Sequence, residues 1–289
     1  MWLYYSLFLA GISSFSAPLT KRVSQSIHIA LYFFVFNLIS VGFILVILLF
    51  TTGIPKVVPQ FYFNIFMSAL LDIIAFLAGT YAVKHYPISL LAPVTAFYPI
   101  FAAIISAFTL HEVPTPLKWV GIFVIVVGAY LLDISEVKTS FLNPFKKLFS
   151  NRGVQLTLLE VFIFGITPTF QKQAIFQTHP VSPLYVSFMG NILVTVFMGV
   201  YGLRYFAKQK THIKSNFPLF LLLGLLNALG QYAAYMAFAL TNVSYSIAIS
   251  QLSILLTILW GGIFFKEEKI KERLLGSIVM VAGVILLVV

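Results

Sequence analysis

Ten apolar segments, each about 20 residues long, recur along this chain of 289 residues and constrain its fold more than any other feature. A helix of that length crosses the hydrocarbon core of a bilayer. Charged residues make up only 9% of the chain, against about 25% in a soluble globule. A transmembrane β-barrel is excluded, because its alternating strands give a much weaker apolar signal. The sequence therefore predicts an all-α integral membrane protein with ten transmembrane helices.

The predicted helices are joined mostly by short connections. The first is interpreted as a retained membrane helix, because its charges, Lys21 and Arg22, follow the apolar run, the reverse of a secretory signal. The longest connection, 135–152, is polar and basic and is predicted to link two five-helix halves, 1–134 and 153–289. The helices are predicted near 2–20, 28–50, 61–83, 88–110, 116–134, 153–176, 183–204, 217–240, 244–265 and 272–289.

The two halves match each other when the sequence is shifted by 155 residues. Segment 85–132 then aligns with 240–287 without a gap, and Asp72 falls on Asn227. Because five helices are an odd number, the second half must enter the membrane in the opposite sense. Two such inverted repeats around a central cavity are a recurrent plan of secondary transporters, although a duplication kept only for packing is the alternative. Further matches at this offset are Ser89 with Ser244, Glu112 with Glu267, Lys118 with Arg273, Gly121 with Gly276 and Gly128 with Gly283; an offset of 154 pairs Gly11 with Gly165 and Asn37 with Asn191.

Several polar side chains fall at membrane depth, where an unpaired polar group costs several kcal/mol. Asp72 is the foremost candidate for proton exchange or for pairing with a cationic substrate, and a structural hydrogen bond is the alternative. Glu160 lies about eight residues into the sixth helix, where snorkelling to the interface is the alternative. Amides can instead hold helices together. The predicted substrate-binding or coupling residues are Asp72, Asn37, Tyr98, Glu160, Asn191, Asn227, Gln231 and Gln251.

Other notable residues are interpreted structurally. Lys172, at the end of the sixth helix, is interpreted as a snorkelling lysine, and the alternative is that it reaches a substrate carboxylate. Glu112, Glu267 and Glu268 are expected at helix ends, and the glycine pairs 121/128 and 276/283 are expected to allow close helix packing. The remaining feature is a set of prolines expected to kink helices or open them locally: Pro18, Pro93, Pro99 and Pro168.

The segment 88–128, "ISLLAPVTAFYPIFAAIISAFTLHEVPTPLKWVGIFVIVVG", resembles the second part of an EamA domain. The matching features are a small-residue helix with Pro99, a glutamate at its end and a following helix with two glycines. The second copy, 243–283, has Ile254 in place of the proline. The usual Trp-Gly of the first helix is Ala10-Gly11 here and Phe164-Gly165 in the second half. The chain thus resembles a ten-helix member of the drug/metabolite transporter superfamily.

This resemblance implies that the chain moves small metabolites by alternating access, often with an ion gradient. Few cationic residues lie inside the spans, which disfavours phosphate-bearing substrates. A neutral, zwitterionic or cationic substrate fits better: an amino-acid-like compound, an amine or a drug-like molecule. Protons are the candidate coupling ion. The alternatives are a receptor or assembly subunit, in which the polar residues pair and leave no cavity, and a lipid-head-group flippase, with a cavity open sideways.

Enzyme signatures, metal-ligand spacings and cysteines are absent from the sequence, so neither catalysis, a metal site nor a cofactor is expected. The net charge of +10 is assigned to topology and lipid head groups rather than to nucleic acid. The partners expected are a small-molecule substrate and the bilayer, with the chain a monomer or homodimer. The protein is expected to be multi-pass in the cell (plasma or inner) membrane.

Two features of the sequence predict opposite orientations of the chain in the membrane. Five alternate connections, beginning with that between the first two helices, hold 15 of the 18 Lys and Arg residues. The positive-inside rule would therefore place both termini outside the cell. The family resemblance implies that both termini lie inside.

Overall fold

The computed structural model describes residues 1–24, 27–51, 53–86, 91, 94–134, 151–257 and 270–289, and these are mostly helical. The first half contains one strand, β1 (Lys56–Val57), between its second and third helices. Its helices are α1 (Trp2–Ser24), α2 (Ile29–Thr51), α3 (Gln60–His85), α4 (Tyr98–Thr109) and α5 (Pro116–Ile134).

The second half begins with α6 (Arg152–Phe176), which is followed by strand β2 (Thr178–His179). A 3₁₀ turn, Leu203–Tyr205, separates α7 from α8, and after a turn at Gln251 residues 252–257 are helical again. The other helices are α7 (Pro183–Gly202), α8 (Phe206–Ser215), α9 (Phe217–Leu240), α10 (Val243–Ser250) and α11 (Ile270–Val288).

Five helical stretches among the described residues are long and apolar enough to cross a membrane, by length and composition: α2, α3, α6, the run Pro183–Ser215 and α9. Four shorter stretches are also apolar: Tyr98–Thr109, Pro116–Leu131, Val243–Thr257 and Ile278–Val288. Exposed large apolar side chains are spread along these helices, for example Phe50, Phe108 and Val200. This distribution is expected of a bundle whose outer surface faces lipid.

Most helix ends lie within a few residues of the predicted ones, but four features differ. Helix α4 begins at Tyr98, later than predicted, because a turn at 96–97 follows the helical residues 94–95. Pro99, expected to kink a helix or open it locally, stands in the first turn of α4, where proline's missing N–H has no intrahelical acceptor to lose. The basic helix α8 was not predicted, because its composition is polar. The two-residue strands were too short to leave a pattern. Pro93, Glu267, Glu268 and all but the last two residues of the predicted linker lie outside the described residues.

The halves interlock through pairs of helices. α3 packs against α6, α1 against α9, α2 against α7, α4 against α10 and α5 against α11. Helices are numbered within each half with the extra helix α8 left out. Swapping the halves then exchanges the α3–α6 pair with the α1–α9 pair and leaves the other three pairs unchanged. The strands β1 and β2, one from each half, also pair antiparallel.

Glycines allow a close approach of the backbones of α5 and α11. A Cβ atom on Gly128 would lie 2.6 Å from the backbone nitrogen of Met280 and 2.8 Å from the carbonyl oxygen of Gly276. A Cβ atom on Gly283 would lie 2.7 Å from the backbone nitrogen of Ile125. Small residues permit this backbone contact, which stabilises helix pairs in lipid.

We expect Gly128→Ala to lower the free energy of unfolding by about 1–3 kcal/mol, because the added methyl group must push two backbones apart. The measurement is thermal unfolding of the purified protein in detergent. Gly42→Ala is the matched control, since a Cβ atom there meets nothing within 4 Å. Equal melting temperatures for the two variants would contradict the close packing.

Candidate functional site

A cavity of about 630 Å³ lies between the two halves. Helices α1, α2, α3 and α4 line it from the first half, and α6, α7, α9 and α10 line it from the second. Its volume falls within the range of about 300–1,000 Å³ that is usual for small-molecule sites. The lining extends to Thr20 and Tyr32, close to the connection between α1 and α2.

Asp72 projects from α3 into this cavity and is half-buried. The side-chain nitrogen Nε2 of Gln171, on α6, donates a hydrogen bond of 3.3 Å to its Oδ2 atom. The Thr167 side chain also contacts the carboxylate, and Tyr98 and Tyr235 lie close enough to interact with it electrostatically. The carboxylate is therefore surrounded by hydroxyl and amide groups drawn from both halves.

Two asparagines at equivalent positions make the same local bond. Asn37 Nδ2 donates to the carbonyl oxygen of Phe33 at 2.9 Å, and Asn191 Nδ2 donates to that of Ser187 at 2.8 Å. Each bond reaches one turn back along its own helix. Asn227, the counterpart of Asp72, donates to Ser40 Oγ at 2.9 Å and to Asn191 Oδ1 at 3.4 Å. All three asparagines line the cavity.

The glutamines and Tyr98 complete the predicted set that surrounds the cavity. Gln251 is buried and donates from Nε2 to the carbonyl oxygen of Thr95, in the other half, at 3.2 Å. Gln231 is half-buried, and the described residues offer its side chain no hydrogen bond. Tyr98, in the first turn of α4, packs near Phe164 with 6.3 Å between ring centroids. The structure thus brings all the predicted site residues together except Glu160.

Glu160 lies at the contact between α3 and α6, outside the residues that line the cavity. Its carboxylate packs directly over Gly79, so closely that a Cβ atom on that glycine would overlap it. Its side chain is half-buried, and no described residue donates a hydrogen bond to it. Its position separates it from the polar groups around Asp72.

Lys172 is not a snorkelling lysine, and that interpretation was wrong. It is 9% exposed and forms an ion pair with Glu112, which comes from the other half. Its Nζ atom also donates to the carbonyl oxygen of Thr241 at 2.6 Å, and Glu112 Oε2 accepts from the backbone nitrogen of Val243 at 2.9 Å. Glu112 thereby caps the first turn of α10. Pairing and hydrogen bonds offset the desolvation of both charges.

Two further contacts lie at this same end of the bundle, which we call the closed end and define by the Lys172–Glu112 pair, Thr241, β1 and β2. Asn64 Nδ2 donates to Gln177 Oε1 at 3.0 Å, and the Val58 backbone nitrogen donates to the Gln177 carbonyl oxygen at 3.3 Å. Together with the β1–β2 pairing, these bonds join the connection before α3 to the connection after α6. The two halves are therefore tied together at the closed end.

Sequence reasoning did not select three residues that border Asp72: Thr167, Gln171 and Tyr235. Thr167 and Gln171 are four residues apart and share a face of α6, a spacing that could have flagged them together. Tyr235 lies one turn after Gln231 on α9 and lines the cavity while only 5% exposed. No feature of the sequence distinguishes it among 14 tyrosines.

Comparison with known proteins identifies the architecture. The model of the EamA-like transporter family matches residues 1–133 and again 151–289. A solved structure titled only as the crystal structure of a protein superposes with a TM-score of 0.78 at 13% identity, over 100% of this chain and 98% of that chain. No curated protein matches the sequence significantly. The structural likeness shows the fold alone, whereas the family model covers nearly the whole chain.

We expect Lys172→Met and Glu112→Gln each to lower the free energy of unfolding by about 3 kcal/mol, because either change breaks the buried pair. The double variant should lose at least about 1 kcal/mol less than the sum of the singles, since the interaction can be lost only once. Thermal unfolding in detergent measures all three. Lys84→Met removes an exposed lysine as the control. Additive losses would show that the two charges do not stabilise each other.

Proposed function

Because the chain belongs to the EamA-like transporter family, we propose that it is a secondary active transporter that works by alternating access. Its substrate is a small neutral, zwitterionic or cationic metabolite, such as an amino-acid-like compound, an amine or a drug-like molecule. The observation that carries the proposal is the cavity between the halves, with Asp72 and amides from both of them in its lining. Membership of the family makes the chain a multi-pass membrane protein, and we assign it to the cell membrane.

The proposed architecture is ten transmembrane helices in two inverted repeats, 1–134 and 153–289, joined by the linker 135–152. The double match of the family model supports it, as does the repeat offset of 155 residues. The helix pairings support it too, because swapping the halves exchanges the α3–α6 contact with the α1–α9 contact. The identical local bonds of Asn37 and Asn191 fit the same symmetry.

Alternating access requires one end of the cavity to be sealed while the other is open. The Lys172–Glu112 pair and the β1–β2 pairing support a seal at the closed end. The cavity extends the other way, toward Thr20 and Tyr32, and the entrance in this conformation would lie at that opposite end. The change to the other conformation would then break the contacts at the closed end.

The cavity also favours transport over a receptor or assembly subunit on the same scaffold. In that alternative the polar residues would pair with one another and leave no space. A cavity of about 630 Å³ remains, and the Gln231 side chain makes no hydrogen bond with the described residues. The other alternative, a lipid-head-group flippase, differs from a metabolite transporter in its substrate, which would be a phospholipid. Measuring which compound is exchanged therefore separates the two.

We expect the protein in proteoliposomes to exchange at least one compound from a panel of neutral, zwitterionic and cationic metabolites. Asp72→Asn should reduce that exchange at least tenfold, because the carboxylate lies in the cavity. Gly42→Ala serves as the control that leaves the cavity unchanged. A pH gradient applied across the vesicles tests whether protons drive the substrate. Exchange of labelled phospholipid alone would favour the flippase, and no exchange at all would contradict transport.

The absence of cysteine allows the seal to be tested directly with single cysteines. Ser244 is fully buried beside the closed end, so Ser244→Cys should resist a membrane-impermeant maleimide in the parent chain. Adding Lys172→Met should raise its labelling rate at least fivefold. Ser215→Cys, on an exposed part of α8, is the control that should label quickly in both backgrounds. Equally fast labelling of the two positions in the parent chain would rule out a seal.

A further inference from the structure

The cavity lining holds one carboxyl group and no cationic side chain among its described residues. Of the described residues around the cavity, Asp72 alone carries a formal charge. The nearest lysine along α6, Lys172, belongs to the closed end and is paired with Glu112. An anionic group entering the cavity would meet a carboxylate and no cation to offset it, and burying such a group unpaired is costly.

Three amides of the cavity lining bond to the protein through one of their two N–H donors. Asn37, Asn191 and Gln251 each donate to a backbone carbonyl oxygen. A carbonyl oxygen can only accept, so each of these bonds fixes which end of the amide is the nitrogen. The oxygen of Asn191 accepts from Asn227, whereas the described residues offer no donor to the side-chain oxygens of Asn37 and Gln251. Those two oxygens remain available as acceptors for a ligand.

The remaining amides follow the same pattern. Asn227 uses its Nδ2 atom for two bonds, to Ser40 Oγ and Asn191 Oδ1. Gln171 uses its Nε2 atom for Asp72. Gln231 differs from them, because its side chain makes no hydrogen bond with the described residues and so offers both its donors and its acceptor.

Three hydroxyl groups of the lining are engaged as donors, whereas no described residue accepts a hydrogen bond from those of Ser13, Thr20 and Ser253. Ser16 donates to the Ser13 carbonyl oxygen at 3.2 Å, Thr167 to that of Ile163 at 2.9 Å and Ser250 to that of Ile247 at 2.7 Å. A hydroxyl has one hydrogen, so what these three offer a ligand is lone pairs. Tyr98 and Tyr235 keep free hydroxyl hydrogens, but both lie near Asp72, which accepts hydrogen bonds itself.

Aromatic rings form an apolar wall beside the carboxylate. Phe76 lies one turn after Asp72 on α3, with ring centroids 5.0 Å from Phe33 and 5.2 Å from Phe164. Phe164 in turn lies beside Tyr98. Aromatic faces attract cations, and they also pack against the apolar body of a ligand.

We propose, building on the transport function above, that the substrate is an organic cation whose charged nitrogen carries hydrogens and whose body is apolar. Protonated primary or secondary amines and guanidinium compounds are of this class. The nitrogen pairs with Asp72 and donates to the free amide and hydroxyl oxygens, while the body packs on the rings. A zwitterion or a phosphate ester would bring an anionic group beside Asp72, where no described residue of the lining is cationic.

The test is binding to the purified protein, measured by calorimetry and thermal shift. Four ligands are compared, each with a phenyl ring on a short carbon chain. They are 2-phenylethylamine, its N,N,N-trimethyl derivative, phenylalanine and 3-phenylpropanoate. The amine should bind and raise the melting temperature, as any ligand selective for the native state does. The trimethyl derivative, which cannot donate, should bind at least tenfold more weakly. Phenylalanine and the carboxylate should not bind.

Variants separate a site effect from a folding effect. Asp72→Asn should abolish binding of the amine, and Asp72→Glu should retain part of it if charge is what matters. Glu160→Gln removes a second carboxylate from within the helices, one that lies outside the cavity lining, and should leave affinity within twofold. Equal losses in Asp72→Asn and Glu160→Gln would overturn the assignment to the cavity.

The outcomes also separate this proposal from transport itself. Binding of phenylalanine or 3-phenylpropanoate as tight as that of the amine would overturn the cation proposal, as would equal binding of the trimethyl derivative or no binding of any ligand. Exchange of a zwitterion in proteoliposomes would overturn it while upholding transport. Amine binding without exchange of any compound would uphold the cation site and contradict transport.

Discussion

Hydrocarbon offers no hydrogen-bond partner, and the arrangement of this bundle depends on that constraint. Each polar side chain at membrane depth must find a partner inside the protein or face a space that admits water and ligand. Here many of the partners come from the opposite half: Asn227 reaches Ser40, Gln251 reaches the Thr95 carbonyl oxygen and Lys172 reaches Glu112. The need to satisfy polar groups therefore also joins the two halves.

The same constraint explains why much of the site could be predicted. A carboxylate or amide in an apolar helix is expensive, so Asp72 and Asn227 at equivalent places in two repeats indicate a shared interior. The structure brings these residues and the other amides around one cavity. Helix positions were predictable for a related reason, because the length of an apolar segment is set by the bilayer. The helical membrane architecture and the transporter family follow from these features and from the family match.

The features that were not predicted depend on distant partners. Lys172 lies near a helix end, where its neighbours in the sequence favour snorkelling. It is buried because it pairs with Glu112, a residue of the other half that is distant in the sequence. Glu160 is placed by Gly79, a contact between α3 and α6 that no local pattern encodes. The direction in which each amide points is also set by its partner, so a list of polar residues cannot reveal whether a cavity offers donors or acceptors.

Gln171 and Lys172 are consecutive residues of α6, but one contacts the cavity and the other contacts the closed end. One donates to Asp72 in the cavity, and the other bonds to Glu112 and the Thr241 carbonyl oxygen at the closed end. Successive residues of an α-helix are about 100° apart around its axis and rise about 1.5 Å. A rotation of α6 about its axis would therefore change the contact with the Asp72 carboxylate and the ion pair with Glu112 together.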